Sequence, residues 1–84
     1  MVRIVYLARL RDAFGISAEQ VDLPGDIGTV AALLTWLRTR GGVWAQELAS
    51  GRSVRVAVNH DIALPTTAIQ SDDEVALFPP VTGG

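Results

Sequence analysis

Cysteine is absent from the chain, lysine is absent with it, and His60 is the only histidine. Without thiols there is no disulfide, no thiolate nucleophile and no cysteine-based metal site, so any sulfur chemistry has to be carried on a group supplied from elsewhere. Without lysine the chain has no side-chain amine to receive an acyl group. It can donate a carboxyl but cannot build lysine-linked polymers of itself. A Cys/His pair is excluded, and Ser53, His60 and Asp61 lack the arrangement of a nucleophile elbow. Long apolar runs are missing too: none approaches the roughly 20 residues of a membrane span. The N-terminus lacks the pattern of a secretory signal. The seven basic residues are all arginine, scattered along a chain of net charge −2, which is not the footprint of a nucleic-acid binder. The glycines form neither a GxGxxG motif nor a P-loop. These absences set the expectation of a cytoplasmic protein with no nucleic acid, membrane, metal or bound cofactor.

What is present suits one small packed domain: 49% of the residues are apolar and 19% charged. Arg3 to Leu7 is β-branched and aromatic, a first strand with Ile4 and Tyr6 on one face. Ala8 to Phe14 reads as a short helix stopped by Gly15. Glu19 to Leu23 alternates polar and apolar, a second strand ended by Pro24-Gly25 and pairing with the first. Thr29 is the N-cap of the strongest helix, whose Val30, Leu33, Leu34 and Leu37 form one apolar stripe. Arg38 and Arg40 fall in its last turn, and Gly41-Gly42 end it. Val43 to Ala49 adds a shorter helix, with Trp36 and Trp44 as packing residues. Val54, Val56 and Val58 mark another strand, Ile62 to Leu64 a weaker edge segment, and Glu74 to Phe78 the last strand, closed by prolines that cannot donate to a ladder. The order predicts an α+β fold, a helix across one face of a mixed sheet. The compact fold with that order is the β-grasp, or ubiquitin-like, roll, with first and last strands parallel at the centre.

Asp72-Asp73-Glu74 resembles an acid cluster, but consecutive residues before a strand point in alternating directions, and a solvated turn is the better reading. A face and a tail remain. If Ile4, Tyr6, Val75 and Leu77 point at the helix, a period of two sends Val5, Leu7, Ala76 and Phe78 to the other side. Leu7, Phe78 and Ile62 then form an exposed apolar patch, the kind of surface that marks a protein contact. Beside it runs Pro79-Pro80-Val81-Thr82-Gly83-Gly84. The prolines favour extended geometry, and two residues without Cβ let the backbone enter a narrow channel. The expected division is a domain over residues 1–78 and a tail over residues 79–84 that presents the Gly84 carboxylate.

Three stretches carry a resemblance: Arg3 to Arg11, Ala57-Val58-Asn59, and above all Asp73 to Gly84, where Phe78-Pro79-Pro80-Val81-Thr82-Gly83-Gly84 is far narrower than Gly-Gly alone. In these the chain resembles the small subunit of molybdopterin synthase, the MoaD family. The resemblance implies a β-grasp sulfur carrier whose terminal glycine, here Gly84, is adenylated by an activating enzyme using ATP and converted to a thiocarboxylate by a sulfur donor. Leu7, Ile62, Phe78, Pro79, Pro80, Val81, Thr82 and Gly83 would then meet the synthase large subunit, which takes the sulfur on to precursor Z to make the molybdopterin dithiolene. Two positions depart from the family pattern: Leu7 stands where an aromatic is frequent, and Asp72 where a glycine usually opens the last strand. Asp tolerates a left-handed turn better than most residues. Alternatives of other classes are a carrier for thiamine or cysteine synthesis and a ubiquitin-like modifier joined through Gly84 to lysines of other proteins.

Overall fold

Val2, Ile4 and Tyr6 are buried while Arg3 is exposed between them, and this period of two builds the first strand, β1 (Val2–Tyr6). The computed structural model describes residues 1–49 and 51–80. After β1 come α1 (Ala8–Phe14), β2 (Ala18–Val21), α2 (Val30–Arg38), α3 (Gly42–Glu47), β3 (Arg55–Val58), β4 (Asp61–Ile62) and β5 (Glu74–Phe78). The strands form one mixed sheet in the order β2-β1-β5-β3-β4. β1 and β5 run parallel at its centre with Ile4 opposite Val75 and Tyr6 opposite Leu77, and the other pairs are antiparallel.

Ile4, Tyr6, Val75 and Leu77 are wholly buried and pack with Leu10 of α1 and Val30, Leu33 and Leu37 of α2. α1 therefore joins the same core as α2. Gly15 ends α1 in the left-handed region, φ +75°, with its N–H on the Arg11 carbonyl, as the glycine predicts. Thr29 caps α2: its hydroxyl accepts from the Ala32 N–H at 3.2 Å. The preceding two N–H groups go to the carbonyls of Thr67 and Pro65, which pins the loop before β5 to the helix start.

The structure shifts the ends of β1, α3, β3 and β4 by a residue or two from the sequence reading, and differs from it with more consequence at three places. Leu34 is half-buried rather than part of the sealed core, because α2 faces the sheet through Val30, Leu33 and Leu37 while Leu34 borders a surface groove. β2 begins and ends earlier than its alternation suggested, at Ala18–Val21, where the pairing with β1 runs from Val5 to Val2. α2 ends at Arg38 rather than at the glycines. The Thr39 hydroxyl turns back onto the Trp36 carbonyl, and Gly41, at φ +75°, is the N-cap of α3.

That early stop frees Arg40 from the helix. Its guanidinium lies 4.4 Å from the ring centre of Trp44 and grips Glu19 of β2 with both nitrogens, at 2.8 and 3.1 Å. The Tyr6 hydroxyl donates to the same carboxylate at 2.6 Å. Phe14 stacks on Trp44 at 3.8 Å and meets Tyr6 edge-on. The bidentate Arg40 contact holds the Glu19 carboxyl below its usual range, and burial, reinforced by Glu19, raises the Tyr6 phenol.

A second polar set closes the other end of the sheet. Asn59 and His60, at φ +50° and +74°, turn the β3–β4 hairpin. The Asn59 amide donates to Asp73 at 2.9 Å and its oxygen accepts from the Glu74 N–H at 2.9 Å. Asp73 also takes the Gln70 N–H, and these two donors depress its carboxyl. Asp72 adopts φ +70°, the left-handed turn that an Asp at this position was expected to tolerate. Its N–H reaches the Met1 carbonyl at 2.7 Å. The acid cluster is thus a turn that launches β5.

Leu37→Ala is expected to cost about 2–5 kcal/mol in urea unfolding, whereas Leu34→Ala should cost clearly less, since only the first empties a sealed site. Equal losses would put Leu34 back in the core. The depressed Glu19 carboxyl contributes stability that is complete above the unfolded-state value of about 4.3 and is lost as pH falls through the lower folded value. Glu19→Gln should therefore lie below the parent in stability at neutral pH, with the gap closing in acid. A gap that stays constant from pH 7 to pH 2 would refute the assignment.

Candidate functional site

With the three helices and their core side chains on one side, the sheet's other side has no element of the described chain laid across it. Its composition follows from register. One rung crosses all five strands as Ala18, Val5, Ala76, Ala57 and Ile62. These residues are small or β-branched, so the rung is low and apolar. The rung toward the end of β5 holds Phe78 opposite Arg55, with Leu7 continuing β1 beside it; the Leu7 N–H bonds the Leu77 carbonyl at 3.0 Å. The rung toward the start of β5 is polar, Gln20, Arg3 and Glu74.

The three predicted patch residues all lie on this side. Ile62 is 67% exposed, Leu7 41%, and Phe78 is half-buried. Leu7 and Phe78 are neighbours by register, whereas Ile62 lies one rung away at the β4 edge. The patch is a diagonal across the sheet rather than a cluster. α1 does not cover it: Leu10 is sealed in the main core and Phe14 packs on Tyr6. Leu7 is extended, and the chain turns into α1 at the next residue, Ala8, with φ +52°. The side chain is left standing at the sheet's end.

Pro79 and Pro80 are half-buried, and Pro80 lies against a groove at the β3 edge. Val81, Thr82, Gly83 and Gly84 lie outside the described residues. Around Leu7 and Phe78 the described face presents Arg55 but no acid or nucleophile, and Glu74 lies at its opposite end. The strongest titration shifts belong to the structural Tyr6–Glu19–Arg40 and Asp73 sets, away from the patch. Arg55, which sequence reading passed over, is the cation placed beside Phe78. Only the strand register, not local pattern, puts it there.

Known proteins share this arrangement. The model of the ThiS family matches residues 4–84. The molybdopterin synthase sulfur carrier subunits of Haemophilus influenzae and Escherichia coli are each 34% identical over 84 residues, the whole of both chains in either case. Among solved structures, a putative molybdopterin converting factor subunit 1 from Pyrococcus furiosus superposes with a TM-score of 0.77 at 25% identity, covering 95% of this chain and 97% of that one. SAMP1 from Haloferax volcanii gives 0.73 at 29%, covering 99% and 98%.

Because Ile62 and Leu7 stand in solvent, Ile62→Asp and Leu7→Asp should each leave unfolding within about 0.5 kcal/mol of the parent, as surface changes do. A loss of several kcal/mol in either would mean that the side chain belongs to a core.

Proposed function

The chain belongs to the ThiS family, and on that premise we propose that it is the sulfur carrier subunit of a molybdopterin synthase, built on the β-grasp fold. The observation that carries the reading is the end-to-end likeness to two such subunits, which reaches the last residue of both chains. The open apolar face beside the exit of β5 supports it, since a carrier has to be held by partners that do the chemistry. Leu7, Ile62 and Phe78 are the contacts assigned to the synthase large subunit, with Pro79 to Gly83 guiding the terminus into it.

The chemistry follows from what the chain lacks. A carboxylate is unreactive until it has a leaving group. An activating enzyme joins the Gly84 carboxyl to the adenylyl group of ATP and releases pyrophosphate. A sulfur donor then displaces AMP and leaves a thiocarboxylate, which the large subunit consumes as sulfur passes to precursor Z. The acyl-adenylate must be shielded from water, and a terminus without side chains lets a partner enclose it. The domain itself contributes positioning. Cytoplasmic residence accords with ATP and the activating enzyme as partners, and no helix among the described residues is long and apolar enough to cross a membrane.

The likeness to SAMP1, a small archaeal modifier protein by name, favours a second reading in which Gly84 is joined to lysines of other proteins. Covalent ladders in affinity capture would mark a modifier, and one tight non-covalent partner a synthase subunit. A carrier for thiamine or cysteine synthesis is disfavoured by the Phe78-Pro79-Pro80-Val81-Thr82 run.

Incubation with ATP, a sulfur donor and the activating enzyme should raise the intact mass by about 16 Da, one oxygen exchanged for sulfur, in a chain with no thiol to accept sulfur elsewhere. A variant lacking Gly84 ends about 3.5 Å short, and a misplacement near 1 Å already costs on the order of a hundredfold in rate. That variant, and one with an added C-terminal alanine, should fold normally yet make no molybdopterin. Parental activity in either folded variant would sink the carrier reading.

A further inference from the structure

β4 covers only part of β3. It pairs with Ala57 and Val58, one further bond runs from the Ala63 N–H to the Val56 carbonyl at 2.8 Å, and the chain then turns away as the Leu64 N–H bonds the Thr67 hydroxyl. The Ala63 bond shows that the backbone groups of Val56 point outward, away from β5. A period of two points those of Val54 the same way. Among the described residues neither the N–H nor the carbonyl of Val54 has a backbone partner. Among the described residues, the extension of β3 at its start therefore presents a short unpaired backbone edge.

That edge forms one wall of a groove of about 440 Å³ whose floor and far wall include Leu34, Val56 and Pro65. Ile62 and Leu64, each 67% exposed, stand at its mouth. A hollow of about 240 Å³ continues it past Leu34 and Val54 toward Arg38. The rim is basic. Arg52 and Arg55 border the groove and Arg38 the hollow, and no Asp or Glu lines either. Arg52 is paired with Glu47 at 3.1 Å and Arg38 donates to the Thr35 hydroxyl. Arg55 has no ion pair among the described residues. Three of the seven arginines of an acidic chain thus gather around the groove and its continuation.

We propose that the Val54 edge and its groove form a docking site for an extended acidic segment of a partner protein, which adds to β3 as a strand. Each feature selects part of that partner. The bare N–H and carbonyl recognise extended backbone. The Leu34–Val56–Pro65 groove takes the alternate apolar side chain, and the arginine rim favours carboxylates on its neighbours. The site lies at the lateral edge of the sheet and adjoins the Leu7–Phe78 face, with which it shares Ile62 and Arg55, while Pro80, just past Phe78, also borders the groove. It does not rest on the sulfur-carrier reading.

The test uses the full chain, labelled for amide NMR, and a blocked eight-residue peptide alternating glutamate and valine. The expected result is saturable shifts at Val54, Val56, Ile62 and Leu64. Arg55→Glu should weaken binding by about tenfold or more while leaving the spectrum folded, and so should raising the salt to about 0.5 M, since a rim pair at the surface is screened. A peptide of lysine and valine should bind the Arg55→Glu protein better than the parent. Four results would overturn the proposal: no shifts at millimolar peptide; equal binding of the two peptides by the parent; shifts confined to Val5 and Ala76 on the open face; or binding seen only after residues 81–84 are removed, which would make the chain's own end the occupant.

Discussion

Two strands from opposite ends of the chain lie side by side at the centre of the sheet, and because they are parallel no hairpin can join them. The chain has to leave the end of β1, build everything else, and come back to the starting end before β5 can form. This return explains the polar hardware near Asp73. Asn59, Asp73 and the left-handed Asp72 hold the start of β5 in register with β1 and β3. It also explains the position of the candidate site. β5 ends level with β1, so Phe78 to Pro80 emerge beside Leu7 and beside the unpaired backbone just before β3. The end of β5 and the surfaces around it are neighbours by topology, not by proximity in sequence.

The helix side answers a different requirement. A domain this small buries a modest core, and here the apolar interior is backed by a second layer of aromatic and charged contacts. Tyr6 belongs to both, its buried ring meeting the stacked Phe14 and Trp44 edge-on and its hydroxyl on Glu19. Arg40 ties Glu19 to Trp44, so β1, β2, α1 and α3 meet through one network. An exposed ion pair would add little. This one is bidentate, sits over an aromatic ring and shares its carboxylate with a buried phenol, which favours a single arrangement.

Much of this was legible in the residues. The alternation of β1 and β5 named the core face and, by subtraction, the open face. Gly15 and Thr29 marked helix boundaries because left-handed caps and hydroxyl caps have local signatures. What stayed hidden depends on contacts between distant segments. Arg40 read as a dipole partner at the end of α2, and only the fold brings Glu19 to it from 21 residues away. Leu34 fitted the stripe, but a helix on a twisted sheet buries a narrower strip than the sequence pattern offers. Arg38, Arg52 and Arg55 looked scattered, and the short β4 that leaves their groove open could not be told from a longer one. The terminal glycines were legible as a motif, through family resemblance rather than through packing.

The Met1 carbonyl bonds the turn that opens β5, so the first residue sits where both central strands begin. Each of those strands is five residues long, about 17 Å at strand spacing, and β5 ends at Phe78. The molecule is polarised end to end: one pole holds the amino terminus, the other the exit. A fluorophore, affinity handle or fusion partner attached at the first pole would stand a full sheet's length from the second. A label at Met1 would therefore leave the Leu7–Phe78 end of the sheet clear.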